Sequence, residues 1–216
     1  SFVTIHNLTS EKNGQVDVFL KTNSKLDKDI LDILKAYNIT LPIIQKNGNT
    51  QASLLMKFPY DTTKNMSTYG EFFLNDAKVA INNFEFESKN AEVILDDSII
   101  KIKNSDFKYK DMINATLNLN LDIKTLKSYG DANIKSFLIK EENKESLVEI
   151  KDKNTAIDLN FNNEVSILLK DLGTNIKISD LIYVNIDDLS KIYPYSKLLK
   201  DNSIKEGIVA LQIKDE

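Results

Sequence analysis

Two adjacent pairs of acidic residues are the side chains best suited to metal binding or acid–base chemistry in this sequence. They are Asp96-Asp97 and Asp187-Asp188, and paired carboxylates can bind a divalent cation or exchange protons with a substrate. Their settings indicate structural roles instead. The first pair lies between two apolar runs where the chain must turn, and the second comes directly before a helical pattern that needs an N-cap. We therefore predict a turn and a helix cap.

Other residue types that support catalysis are scarce. His6 is the only histidine and the chain has no cysteine, so disulfides and sites built from several histidines or thiolates are excluded. There are 6 glycines, and no glycine-rich phosphate loop is present. We predict a protein that is not an enzyme and that uses no cofactor and no metal. Only an acidic cluster assembled by the fold would favour an enzyme.

The overall charge argues against nucleic-acid binding. The formal net charge is −4, the pI is near 5.2, and the lysines are interspersed with acidic residues instead of forming a basic run. No apolar run approaches the roughly 18 residues of a membrane-spanning helix. The 216 residues can bury a sizeable core. Because the chain begins at Ser1, we expect a piece of a longer protein.

The elements that must position any site are strands, most clearly in the segment 70–123. From 117 to 123 every second residue is leucine or isoleucine, which gives a strand one dry and one wet face. Shorter runs repeat the pattern and are separated by Asn, Asp, Ser and Lys. Phe73 competes with its two neighbours for the dry side. The predicted dry face consists of Leu54, Met56, Phe58, Phe72, Leu74, Val79, Ile81, Phe84, Phe86, Val93, Leu95, Ile100, Ile102, Leu117, Leu119, Leu121 and Ile123.

The remaining chain continues this alternation around two helical patterns. Asn47-Gly48 is a turn signal, Ser24 or Asp27 can cap the first helix, and Pro194 should divide the second. Helices are predicted at 26–38 and 189–199, and further strands at 2–5, 15–21, 50–58, 131–140, 147–150, 155–161, 164–170, 175–178, 181–186 and 207–214.

The order of these elements predicts a single β-rich module. A helix–strand unit at 26–58 is followed by a central meander at 70–186 and by the start of a second helix–strand unit at 187–214. In both units an amphipathic helix leads into an alternating strand, so we expect a fragment of a longer repetitive protein. Alternatively, two helix–strand pairs can arise in any α+β protein.

A continuous dry face must be covered by something. The two helical stretches are too short to cover about ten strands. The sheet can fold over into a β-sandwich, which the spacing alone favours. It can instead curl into an open half-pipe whose apolar lining receives a ligand.

Several runs of residues bear on this choice. They are LPIIQKNGNTQASLLMKFPY, YGEFFLNDAKVAI, NNFEFESKNAEVILDD and IKIKNSDFKYKDMINATLNLNLDI, followed by Gly130-Asp131. With their short strands, Asn/Asp-Ala and Asn-Ser turns and strand-opening glycines, they resemble the AsmA-like family of Gram-negative envelope proteins. Within that family of bridge-like lipid transfer proteins, the YhdP branch is more similar than the TamB branch. The resemblance covers the segment from Leu34 to Asp131.

The resemblance implies a curved periplasmic sheet with a hydrophobic groove, along which phospholipid acyl chains slide toward the outer membrane. This chain lacks the family's inner-membrane anchor and is shorter than a bridge. It would be one periplasmic fragment, tethered to the inner membrane in the full-length protein. Implied partners are phospholipid acyl chains, that anchor and other envelope proteins, but no nucleic acid.

We therefore predict a mainly β fold with two short helices, whose long meandering antiparallel sheet curls into an open hydrophobic groove. Each dry-face residue would serve as uniform apolar lining, and the module would support phospholipid transport, outer-membrane biogenesis and envelope integrity. Leu119→Glu should then abolish lipid retention while the strands still form. The alternative is a non-enzymatic structural or protein-interaction β-sandwich of the cell envelope.

Overall fold

The structure, a computed structural model, describes residues 1–36, 44–81, 83–125, 127–140, 145–160 and 165–213. Within these ranges thirteen strands form one sheet in sequence order, and each strand pairs antiparallel with its neighbours in the chain. The strands are β1 (Phe2–His6), β2 (Gln15–Ser24), β3 (Ile44–Pro59), β4 (Ser67–Ile81), β5 (Phe84–Asp96), β6 (Ile99–Tyr109), β7 (Ile113–Asp122), β8 (Lys127–Ile139), β9 (Val148–Asn160), β10 (Val165–Leu169), β11 (Thr174–Ile178), β12 (Ile182–Ile186) and β13 (Val209–Ile213). This confirms the predicted mainly β fold with an open antiparallel sheet.

Among the described residues, three short α-helices accompany the sheet: α1 (Lys28–Ala36), α2 (Leu189–Ile192) and α3 (Lys197–Asp201). Asp27 caps α1, because its Oδ1 accepts the Ile30 N–H at 3.1 Å. A 3₁₀ turn at Tyr193–Tyr195 separates α2 from α3, which confirms that Pro194 divides this region. The predicted end of the first helix at 37–38 and the predicted strand ends at 161, 164 and 214 lie outside the described residues.

Backbone bulges explain why the apolar pattern is broken into short runs. The β6–β7 ladder shifts by one residue between Ile102 and Ser105, and Asn104 between them has φ 42°. Asp76 has φ 44° within β4. Asn and Asp adopt this left-handed conformation more readily than most residues. Each extra residue moves the dry positions from even to odd numbers, so one long strand resembles two short ones in the sequence.

Two sequence-based expectations were wrong for this reason. The strands predicted at 147–150 and 155–161 are one strand, β9, with Asp152 at φ 51° inside it. Asn47-Gly48 does not form a turn. Gly48, at φ 87°, lies in a bulge within β3, and the ladder with β4 continues on both sides. A glycine with positive φ serves a bulge as well as a hairpin.

The sheet is curled, with its dry face inside. Phe86 on β5 and Ile182 on β12 line the same cavity, although about seven interstrand steps would place them roughly 34 Å apart in a flat sheet. The buried apolar residues form two clusters. The main cluster extends from Ile81 to Leu199 and draws its residues from β4–β12, α2, α3 and the 3₁₀ turn at Leu172, but it excludes Leu95, Ile100 and Leu121. The N-terminal cluster consists of Leu26, Ala52, Leu54, Met56, Phe72, Leu74, Ala77, Leu95, Ile100 and Leu121.

The helices cover opposite ends of this interior. From α2 and α3, Leu189, Ile192 and Leu199 are buried in the main cluster. From α1, Ile30 and Leu31 pack against the N-terminal cluster but are only half-buried. Most of the dry face is therefore covered by the sheet itself.

Candidate functional site: the concave apolar face

Every residue of the predicted dry face belongs to one of the two apolar clusters or packs against it. Phe72 and Leu74 are 8% and 6% exposed, whereas Phe73 is 41% exposed on the opposite face, which decides the side that β4 turns inward. Those fully buried are Leu54, Met56, Phe72, Leu74, Ile81, Phe84, Phe86, Leu95, Ile100, Leu119 and Leu121. Those half-buried are Phe58, Val79, Val93, Ile102, Leu117 and Ile123.

The concave face extends beyond the residues that were predicted for it. Strands β8–β12 contribute Ile134, Ile157, Ile176 and Val184, which are as deeply buried as the predicted set. Their alternation was visible in the sequence. The one-residue shift between β7 and β8 near Ala115 obscures which positions continue the same face.

The interior of the curled sheet is closely packed and leaves little empty space. The cavity between β5 and β12 has a volume of about 60 Å³ and is lined entirely by apolar side chains, among them Phe86, Leu119 and Ile134. An apolar cavity of about 150 Å³ holds a benzene molecule. In this conformation the centre therefore has no room for a long acyl chain.

Accessible apolar space lies at two places on the margin of the curl. A cleft of about 220 Å³ lies between α1 and strands β2–β4, and its lining residues are Ser1, Leu20, Lys21, Thr22, Ile30, Ile33, Ala52, Leu54 and Phe72. A wider cleft of about 550 Å³ lies where the β6–β7 and β8–β9 connections approach α3 and β13. Its apolar lining includes Met112, Leu138, Ile139, Leu147, Leu198, Leu211 and Ile213.

The outer face of the sheet is polar and charged. Lysines lie beside carboxylates on neighbouring strands: Lys103 Nζ is 3.7 Å from Glu92, and Lys108 Nζ is 3.8 Å from Glu87. Side chains this exposed are screened by water, so each pair adds little to stability. The outer face of the sheet is therefore hydrated, and the inner face is stabilised by apolar contacts.

One residue of each acidic pair, Asp97 and Asp188, accepts a backbone N–H with its carboxylate. Asp188 caps α2, since its Oδ1 accepts the Ser190 N–H at 3.0 Å, and the Ser190 side chain is the main cause that lowers the pKa of Asp188. Asp97, at φ 52°, lies in the β5–β6 turn, where its Oδ1 accepts the Thr68 N–H at 2.7 Å. His6 lies on the exposed strand β1, with Nε2 3.1 Å from Asp17. Within the described ranges, no group of three or more His, Cys, Asp or Glu could hold a metal ion.

Acid pH should remove part of the stability supplied by such carboxylates. Asp171 Oδ2 accepts the Ala156 N–H at 2.9 Å, which holds the pKa of Asp171 below its ordinary value. The folded pKa is lower than the unfolded pKa of about 3.9. The stabilisation is therefore full above the unfolded pKa and is lost as pH falls through the folded pKa. Asp171→Asn should lower the urea midpoint at neutral pH and flatten its decline toward acid.

Urea titrations from neutral pH to roughly pH 2 measure this effect across the window in which the carboxylate is protonated. Asp180→Asn, at an exposed bend, is the control and should follow the parent protein. An acid decline equally steep in Asp171→Asn and in the parent would contradict the prediction.

A scan of protein-family models, a search of curated proteins and a search of solved structures each gave no match to this chain. The resemblance to the AsmA-like family therefore stays a prediction. Among the helices that the structure describes, none has the length and apolar character needed to cross a membrane.

Proposed function

We propose that this chain binds phospholipid acyl chains on its concave apolar face. It would act as a periplasmic module of an AsmA-like protein that supports lipid transport between the two membranes. One observation carries the proposal: a single dry face runs through the antiparallel sheet, with charged residues kept to the outside. Burial of each methylene contributes roughly 0.8 kcal/mol, so repeated apolar contacts hold a chain without a polar pocket. This role needs no nucleophile, metal or cofactor.

The curled sheet suits movement along its length. A strand of nine residues spans about 30 Å, which lets one strand cross beneath a whole acyl chain. Because the central cavity is small, a lipid must enter through one of the two clefts at the margin of the sheet or push the curled sheet apart. Because the sheet is open, its edge strands β1 and β13 can move apart without breaking a ladder between them.

Native mass spectrometry of protein purified without detergent, after expression in a bacterial periplasm, tests the proposal. We expect phospholipid at near-stoichiometric amounts, identified by extraction. A cooperative thermal unfolding transition in the same sample shows that the protein is folded. A lipid-free mass from such a folded sample would overturn acyl-chain binding by this chain.

The packed centre supports a second candidate, a structural or interaction module. Its main cluster contains twenty-five buried apolar residues and encloses a cavity of about 60 Å³, which is too small for an acyl chain. Strand β1 offers an edge to a partner strand, since FVTIH contains neither proline nor lysine and all five residues are exposed. This candidate predicts protease resistance without bound lipid, in the same preparation that tests the first.

A further inference from the structure

Four neighbouring strands, β3 to β6, each contain one extra residue at the same level of the sheet. In β3 it belongs to the bulge at Gly48, where an added Cβ would lie 2.5 Å from the Asp76 carbonyl oxygen of β4. Asp76 has φ 44°, and Asn104 of β6 has φ 42°. In β5 the inward-facing side chains change from even to odd positions between Ser88 and Ala91. We call this line of four irregularities the crease.

Strand pairing is interrupted where the crease passes from β5 to β6. Glu87 pairs with Lys108, and the next described pair along this ladder is Glu92 with Lys103. A side chain enters the gap, since the Ser105 hydroxyl accepts the Glu92 N–H at 3.1 Å. Bulges disrupt a ladder and bend the strand that contains them. The two strands are therefore held less tightly at the crease than on either side of it.

The crease also separates the two apolar clusters. On β5, Phe86 belongs to the main cluster and Leu95 to the N-terminal cluster. On β6, Tyr109 belongs to the main cluster and Ile100 to the N-terminal cluster. A domain usually has one contiguous core. Here each part of the sheet keeps a core of its own when the strands bend between them.

Small side chains occupy the inner face of the crease. Ala77, Ser88 and Ser105 are all buried there, and they offer little apolar surface to join the clusters. Val79 and Ile102 pack against both clusters but are only half-buried. The Ser88 hydroxyl is enclosed and has no hydrogen-bond partner among the described residues. A buried hydroxyl without a partner is destabilising, so an arrangement that brings water to Ser88 regains free energy.

We propose that the crease is a hinge, about which the part of the sheet that carries the N-terminal cluster tilts away from the part that carries the main cluster. The bulge residues absorb the change in backbone direction, as the residues of a hinge do. Opening hydrates Ser88 and widens the inner face at the crease, while the strands on either side stay paired. This movement goes beyond lipid binding and occurs without a ligand.

Distances between two spin labels test the hinge, because the chain has no cysteine of its own. Ser53→Cys and Glu87→Cys together place labels on opposite sides of the crease. Ser53 on β3 pairs with Glu71, which pairs with Ile94 on β5, and Glu87 lies seven residues before Ile94. The two labelled Cα atoms are about 25 Å apart in a flat sheet, a distance suited to pulsed electron paramagnetic resonance.

Phe73→Cys with Gln15→Cys is the matched control pair on one side of the crease. Phe73 on β4 pairs with Gln51, which pairs with Asn23 on β2, and Gln15 lies eight residues before Asn23. These Cα atoms are about 28 Å apart in a flat sheet, and the strands between them carry no extra residue. We expect the distance distribution of the pair across the crease to be at least twice as wide as that of the control pair.

Ser88→Ala connects the movement to the crease itself. It removes the unpartnered hydroxyl, which should raise the ratio of closed to open forms roughly fivefold or more. The distribution of the pair across the crease should then narrow. Ser98→Ala removes a half-buried hydroxyl from the β5–β6 turn and should leave that distribution unchanged. Cooperative urea unfolding shows that each variant is folded.

Equal widths for the two label pairs, whether both narrow or both broad, would overturn the hinge. A wide distribution that Ser88→Ala leaves as it was would also overturn it, because the movement would then lie elsewhere. The result is independent of lipid. A rigid crease in protein that carries lipid leaves the proposed function standing, and a hinged crease in lipid-free protein leaves the hinge standing.

Discussion

Leu119→Glu is expected to abolish cooperative folding, or to lower the free energy of unfolding by about 4 kcal/mol or more. Leu119 is 2% exposed in the main cluster and lies on β7 between Ile102 and Gly130. A carboxylate there loses its water without gaining a partner, and the contacts of the leucine are lost as well. The expected loss is a large part of the roughly 5–15 kcal/mol that stabilises a typical domain.

Asn120→Glu is the matched control. Asn120 follows Leu119 in β7, is half-buried, and pairs with Lys101 on β6, so a carboxylate there meets a cation. Thermal and urea unfolding followed by circular dichroism should give a midpoint near that of the parent for Asn120→Glu. A parent-like midpoint for Leu119→Glu would show that the interior is wet and open.

The Leu119→Glu experiment illustrates what the sequence could not reveal. Alternation places Leu119 on a dry face, and the structure agrees. Alternation does not say what covers that face, and a groove lining and a closed core look identical in the sequence. Phe86 and Ile182, far apart in the chain, line one cavity only because the sheet curls. The substitution therefore tests the stability of the fold, not lipid retention.

Strand existence was predictable, but strand continuity was not. Asn and Asp are common both in turns and in bulges, because their short side chains tolerate positive φ. Asn104 lies in a bulge and Asp152 has a positive φ inside β9, and the sequence around each of them looks like a strand boundary. Only the pairing of the neighbouring strand distinguishes a break from an inserted residue.

The sequence did not indicate that Gln45 is buried, with its Oε1 accepting the Leu26 N–H just before α1. Gln45 precedes the Asn47-Gly48 bulge in a polar run, where a glutamine normally faces water. Its side chain is partnered by Leu26, which comes from the segment before α1, and by Thr50, which lies beyond the bulge in the same strand β3. Polar residues that are buried by tertiary contacts do not recur at a regular spacing in the sequence, so a prediction from hydrophobic periodicity overlooks them.

Gly130→Ala is expected to destabilise the sheet by about 3 kcal/mol or more. Gly130 on β8 pairs with Leu119 on β7, and a Cβ added to it would meet the Asn118 carbonyl oxygen and lie 2.8 Å from the Leu119 Cα. These are backbone atoms in the middle of a ladder, so they cannot rotate away as a side chain would. The strands must separate locally, which weakens their hydrogen bonds and opens the main cluster at Leu119.

Gly70→Ala distinguishes this close approach from a general cost of adding a methyl group. A Cβ at Gly70 would lie 2.9 Å from the Phe72 ring and 3.0 Å from a Leu54 methyl group, both of which are side-chain atoms that can shift. We expect its loss of stability to be clearly smaller, as measured by urea unfolding of both variants under identical conditions. Equal losses would mean that β7 and β8 can separate as easily as two side chains can repack. Because the β7–β8 ladder lies in the middle of the curl, the free energy lost in Gly130→Ala measures how firmly the curved face resists opening, and an acyl chain must overcome that resistance to reach the centre.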